Sequence, residues 1–190
     1  MKIRLACDIQ SDSIVDGEGI RTVIWTQGCS HNCKGCHNPE THDHTKGIEI
    51  DVEDVKAKLS TISNQDGVTL SGGDPFFQIE ASSEIAKYCK QNDLNVWAYT
   101  GFTFERLLEV SNYKPELKEF MQNIDVLVDG KFELEQRSLN LKFKGSRNQR
   151  ILDMQESLKQ GKPVVIEKYN SEKVFTYYDC LSKEKQFMYI

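Results

Sequence analysis

The sequence predicts an α/β fold, an open and partial parallel βα barrel closed off by a C-terminal β-hairpin. Short runs of β-branched and aromatic residues alternate with segments whose apolar residues recur at helical spacing. Each run stops at or just before a glycine, and strand followed by helix, repeated, implies parallel pairing. The units are too few for a closed eight-fold barrel, so the sheet is expected to stay open.

Arg21 to Gln27 reads as the first strand, ending at Gly28. Asp51 is the expected N-cap of a helix whose apolar stripe is Val52, Val55, Leu59 and Ile62. Gly67 to Leu70 is a short strand that must end in Ser71-Gly72-Gly73-Asp74-Pro75. A helix near 77–91, a strand at Leu94 to Thr100 and a helix near 103–111 follow. Ile124 to Val128 is a continuous apolar run, as a strand buried on both faces requires, and Asp129-Gly130 ends it. Residues 150–160 fit neither a strand nor a strand-to-helix transition well. Val164 to Tyr169 and Val174 to Tyr178 flank Asn170-Ser171-Glu172-Lys173 and predict the terminal hairpin. Functional loops are thus expected after Gln27, Leu70, Thr100 and Val128, at the carboxyl ends of successive parallel strands.

The chain has 190 residues, 38% of them apolar, enough for one core of ordinary domain size. Its formal charge is -5, from 24 basic against 29 acidic residues, so no global basic excess points to a nucleic-acid partner. Mean hydropathy is -0.53 and no run approaches the roughly 20 apolar residues of a membrane span. Charges at Lys2, Arg4 and Asp8 interrupt the N-terminus too early for a secretion signal, so a cytoplasmic, reducing location is expected. Clustered thiols in such a compartment read as metal or catalytic ligands before disulfides.

Three of six cysteines, Cys29, Cys33 and Cys36, fall in one loop with C-x3-C-x2-C spacing. A [4Fe-4S] cluster normally takes four thiolates, so three leave one iron open, the mark of a catalytic site. Tetrahedral zinc held by the three cysteines with His31 or His37 is a competing reading of the loop alone. Cys33-Lys34-Gly35-Cys36-His37 matches the covalent haem motif, but that attachment accompanies export. Cys7, Cys89 and Cys180 are expected to be small buried apolar side chains. His42 and His44 form a His-x-His pair in a polar loop, a weak metal signal.

Gly72 and Gly73 allow a ligand close to the main chain, and Asp74 adds a negative charge, a combination suited to an ammonium group. The alternative is a tight turn with Asp74 as a helix cap. Asp16-Gly17-Glu18-Gly19 is too short for a dinucleotide fingerprint.

The cysteine loop with a double-glycine strand end one βα unit later resembles the radical S-adenosylmethionine superfamily. Asp16-Gly17-Glu18-Gly19-Ile20-Arg21-Thr22, Gly35-Cys36-His37-Asn38-Pro39, Ser71-Gly72-Gly73-Asp74-Pro75, Tyr99-Thr100-Gly101, Val128-Asp129-Gly130 and Gly145-Ser146-Arg147-Asn148-Gln149-Arg150 extend the likeness. Together they resemble the activases of glycyl radical enzymes, those of anaerobic ribonucleoside-triphosphate reductase above all and those of pyruvate formate-lyase next. These motifs span residues 16–150 of one expected domain of 1–190, with 151–190 as an extension.

The resemblance implies that Cys29, Cys33 and Cys36 hold a [4Fe-4S] cluster and that Gly35, Cys36, His37, Gly72, Gly73, Asp74 and Asp129 contact S-adenosylmethionine. It implies reductive cleavage of that cofactor, a 5'-deoxyadenosyl radical, and a glycyl radical formed on the reductase, with the electron coming from an unidentified donor. It further implies that Thr100 and Asp129 line the cofactor's carboxylate side and that residues 147–150 touch cofactor or partner. Three positions depart from the usual pattern: Gly35 replaces an aromatic residue, leaving His37 to meet the adenine; Asp74 replaces a longer glutamate; His42 replaces a tryptophan. From a different class, a noncatalytic zinc or electron-transfer protein is the remaining alternative.

Overall fold

The computed structural model describes residues 1–170. The chain forms β1 (Lys2–Leu5), β2 (Gln10–Ser13), β3 (Arg21–Thr26) and β4 (Ile48–Asp51), then α1 (Val52–Thr61) and β5 (Gly67–Gly72). There follow α2 (Ile79–Gln91), β6 (Asn95–Tyr99), α3 (Phe104–Ser111), α4 (Pro115–Gln122) and β7 (Val126–Asp129). The described chain ends with β8 (Arg150–Asp153), α5 (Met154–Gln160) and α6 (Glu167–Asn170). All eight strands join one open sheet in the order β4-β1-β3-β5-β6-β7-β8, with β2 paired to β3. The four central strands β3, β5, β6 and β7 are parallel, and every flanking pair is antiparallel.

Alternation along the strands sorts the two faces of the sheet. Ile24, Val68, Leu70, Val96, Ala98, Leu127 and Leu152 point into a core shared with helix residues such as Val55, Ile85, Phe104 and Phe120. Intervening positions face the other way: Trp25, Ser71 and Tyr99 line an open cavity, while Trp97, Val128 and Ile151 pack with Tyr169. One face is dry and covered by helices; the other carries the polar groups.

Four sequence expectations are corrected. Residues 150–160 are a strand-to-helix transition after all, because the Asp153 carboxylate accepts from the Glu156 amide at 2.9 Å and caps α5. Val164 to Tyr169 is not a hairpin arm: Val165 makes one bridge to Leu152, and the chain then turns into α6. That turn lets Tyr169 pack edge-on to Trp97 and lets Asn170 bond both backbone groups of Ile151. The second arm, Val174 to Tyr178, and Cys180 lie outside the described residues. Cys7 is exposed, whereas Cys89 is buried as expected. Asp51 does precede α1, but its side chain caps nothing; the Val52 amide is taken by the Met1 carbonyl at 2.9 Å.

β8 is held to β7 by Arg150, which donates to Asp129 at 2.9 Å and to both carboxylate oxygens of Glu105 at 2.8 and 2.9 Å. Those bonds draw the Glu105 pKa from 4.5 down to about 2. Between those values the unfolded chain binds the proton that the folded chain refuses, so the contribution is full above pH 4.5 and is lost as pH falls towards 2. In Glu105→Gln, urea midpoints should show a shallower loss of stability across that interval than the parent chain.

Candidate active site

The carboxyl ends of β3, β5, β6 and β7 surround a cavity of about 420 Å³, within the ordinary range for small-molecule sites. Cys29, Cys33 and Cys36 line it together with Gly72, Gly73, Gly101 and Gly130, so each of the four expected loops contributes.

The cysteine loop is shaped by its own return. The Gly28 amide donates to the Thr41 carbonyl at 2.8 Å and the Cys29 amide to the His42 carbonyl at 3.1 Å. The buried Gln27 amide group donates to the carbonyls of Glu40 and Asp43, tying the return segment to the end of β3. Between the second and third cysteines the Cys36 amide donates to the Cys33 carbonyl at 3.2 Å, and Gly35 takes φ +73° with Leu134 against it. An added Cβ at 35 would lie 3.0 Å from Leu134, so the local backbone and this leucine account for the missing aromatic side chain. Burial pushes the Cys29 thiol up to about 11 and raises that of Cys36, so a metal that takes these ligands must displace their protons.

The two glycines after β5 are required by a contact within the protein. A Cβ on Gly72, at φ +101°, would meet the Thr26 carbonyl oxygen at 2.5 Å, and one on Gly73 the Gly28 carbonyl oxygen at 2.5 Å. The Gly73 and Asp74 amides donate to those same carbonyls at 2.7 and 3.1 Å. The double glycine thus lies flat against the backbone that leads into the cysteines.

Asp74 is 1% exposed, and donors surround its carboxylate. One oxygen accepts from His31 Nε2 at 2.9 Å, Thr100 Oγ1 at 2.9 Å and the Gly101 amide at 3.0 Å; the other accepts from the Phe76 amide at 2.9 Å. His31 sits between Cys29 and Cys33 and is wedged against Phe77 and Phe102. One carboxylate therefore joins the loops after β3, β5 and β6. The cap reading of Asp74 is realised, and its oxygens are filled by protein donors.

Residues 15–152 match the 4Fe-4S single cluster domain family. Over 151 residues the chain is 31% identical to the anaerobic ribonucleoside-triphosphate reductase-activating protein of Haemophilus influenzae, covering 73% of this chain and 90% of that one. The protein of the same name from Vibrio cholerae is 35% identical over 152 residues, with the same coverage. The chain belongs to this family. A pyruvate formate-lyase-activating enzyme from Clostridium pasteurianum is 39% identical, over 46% of this chain and 39% of its own.

As a member of the activating-protein family the chain is a radical S-adenosylmethionine enzyme, and its cofactors are a [4Fe-4S] cluster and S-adenosylmethionine. The residues present fit both: three thiols share one cavity with a glycine cradle whose backbone packs on Thr26 and Gly28, just ahead of the first cysteine. His37 faces that cavity and packs on Phe132 at 4.9 Å between ring centroids. Gly35 and Asp129 do not reach the lining. The Asp129 carboxylate is buried, taking the Phe104 amide and Arg150, and it is Gly130 that lines the cavity. The 145–150 block braces the cavity's lower edge: Gln149 accepts from the Gly145 and Ser146 amides and donates to the Gly130 carbonyl, and Asn148 donates to the Lys131 carbonyl. Phe132 and Phe143, neither singled out from the sequence, complete the wall with Tyr99 of the Tyr99-Thr100-Gly101 motif, whose hydroxyl donates to the Phe143 carbonyl at 2.9 Å.

Removing the Asp74 carboxylate strands donors from three segments at once. Asp74→Ala should lose about 3 kcal/mol of urea stability in the cluster-free protein, against about 1 kcal/mol for Thr100→Val, since each unmet buried donor costs on the order of 1–3 kcal/mol.

Proposed function

We propose that this chain activates an anaerobic ribonucleoside-triphosphate reductase by generating a glycyl radical on it. The observation that carries this reading is the meeting of three thiols and a double-glycine strand end on one cavity at the rim of an unclosed sheet. Held there by Cys29, Cys33 and Cys36, a [4Fe-4S] cluster would supply the one-electron reduction of S-adenosylmethionine on which glycyl radical formation on the reductase draws.

The chain's own residues divide the remaining work. Cys29, Cys33 and Cys36 would hold the cluster. Gly72 and Gly73 bring main chain to the cavity beside the start of the cysteine loop, where it would receive the amino end of S-adenosylmethionine. His37, supported by Phe132, offers a planar apolar surface for the adenine. Asp74 keeps the three loops in register, and Asp129 acts at a distance by holding Arg150 and the start of α3. An external one-electron donor is required, and the reducing cytoplasm suits a loop of three free thiols. Among the described residues no helix is long and apolar enough to cross a membrane. The reductase is favoured over pyruvate formate-lyase as partner because the likeness to its activating proteins runs through 73% of this chain, against 46%.

Anaerobic reconstitution, reduction and addition of S-adenosylmethionine should yield 5'-deoxyadenosine, and adding the reductase should produce its glycyl radical signal by electron paramagnetic resonance. Cys29→Ala, Cys33→Ala and Cys36→Ala should each abolish both, while Cys89→Ala should retain them. Zinc in place of iron and no 5'-deoxyadenosine would sink the reading; 5'-deoxyadenosine with a radical on pyruvate formate-lyase alone would change the partner.

A further inference from the structure

His42 belongs to none of the roles above, yet it lines the cavity with Cys29, Cys33 and Cys36. Its Nε2 is buried and has no hydrogen-bond partner among the described residues. The neighbouring histidines differ: His31 Nε2 meets Asp74 at 2.9 Å and His44 Nε2 meets Ser30 Oγ at 2.9 Å. A buried ring nitrogen left unmatched is costly, and native proteins keep such groups where something else satisfies them.

The backbone places His42 beside the first cysteine. The His42 carbonyl accepts from the Cys29 amide and its own amide donates to the Pro39 carbonyl at 3.2 Å, so the residue is tied to the first thiol. The Gly72-Gly73 cradle reaches the cavity from β5, whereas His42 reaches it on the cysteine loop's own return segment. His42 and the three thiols therefore face one cavity from the same loop.

We propose that His42, through Nε2–H, donates a hydrogen bond to a sulfur of the cluster held by Cys29, Cys33 and Cys36 and thereby raises its reduction potential. The inference rests on the function proposed above. Reduction adds negative charge to the cluster, and an N–H directed at sulfur stabilises the reduced form more than the oxidised one, which is how hydrogen bonds to sulfur tune such centres. The bond requires only the neutral imidazole with its proton on Nε2.

The test compares the reconstituted holoprotein with His42→Phe, which keeps a planar ring and removes the donor, and His42→Gln, which keeps an N–H. Potentiometric titration of the cluster signal should give a lower potential for His42→Phe, by about tenfold in the reduction equilibrium, or ~59 mV for one electron. His42→Gln should fall between His42→Phe and the parent. In parent protein carrying 15N-histidine, pulsed electron paramagnetic resonance of the reduced cluster should show a nitrogen coupling that His42→Gln abolishes, a readout that stands even where His42→Phe fails to fold. An unchanged potential in His42→Phe, an equal drop in both variants, or no such coupling would overturn the proposal. Failure of the parent to take up a cluster or release 5'-deoxyadenosine would instead defeat the functional reading beneath it.

Discussion

One buried carboxylate holds the site together. Asp74 receives a side chain from the cysteine loop, a hydroxyl and an amide from the end of β6, and the amide of its own turn. Such a group is stable without water only because donors meet both its oxygens. The cost of losing any partner is what makes the arrangement restrictive: the cysteine loop cannot drift from the β5 and β6 ends without stranding a charge. The shorter side chain of aspartate suits this clamp, because the carboxylate stays within reach of its own turn and still meets the next strand end.

The glycine cradle is the second half of the same constraint. With Gly72 and Gly73 laid against Thr26 and Gly28, two strand-end loops touch backbone to backbone, closer than any side chain allows. Bringing these two main chains together sets the double glycine beside the start of the cysteine loop. At the opposite end of the parallel strands a different device ties neighbouring strands together. Arg21 is 1% exposed and donates to Thr69 Oγ1 and to the carbonyls of Glu18, Val68 and Asn95, with Trp97 beneath the guanidinium at 5.4 Å. Burial lowers its pKa to about 10, so it stays charged at neutral pH and is solvated by protein oxygens.

Legibility from the sequence followed the strength of local signals. The four parallel strands were readable because each is an apolar run that stops at glycine, and α1, α2 and α3 because their apolar residues keep helical period. β1, β2 and β4 are not predicted: each is only four residues long and lies towards the margins of the sheet, and β2 and β4 carry mostly exposed side chains. α4 opens at Pro115 and is only eight residues long, too brief for its period to stand out. Val164 to Tyr169 does not extend as a hairpin arm because packing against Trp97 and Phe143 draws Tyr169 inward, a contact no local pattern reports.

The sequence by itself determined the class of chemistry, since three cysteines at fixed spacing in one loop and a double glycine one βα unit later are local facts of the chain. It also determined that these loops share one rim of the sheet, because parallel strands place their carboxyl ends on one side. Only the tertiary structure decided what Asp74, Asp129, His31 and His42 do. Their partners lie 43 positions away for His31 and Asp74 and 21 for Asp129 and Arg150, and no local pattern reports which donors will converge on a carboxylate or leave a ring nitrogen unmatched. Hydrogen-bond satisfaction is a property of the assembled interior, and it is there that this chain's particular site was set.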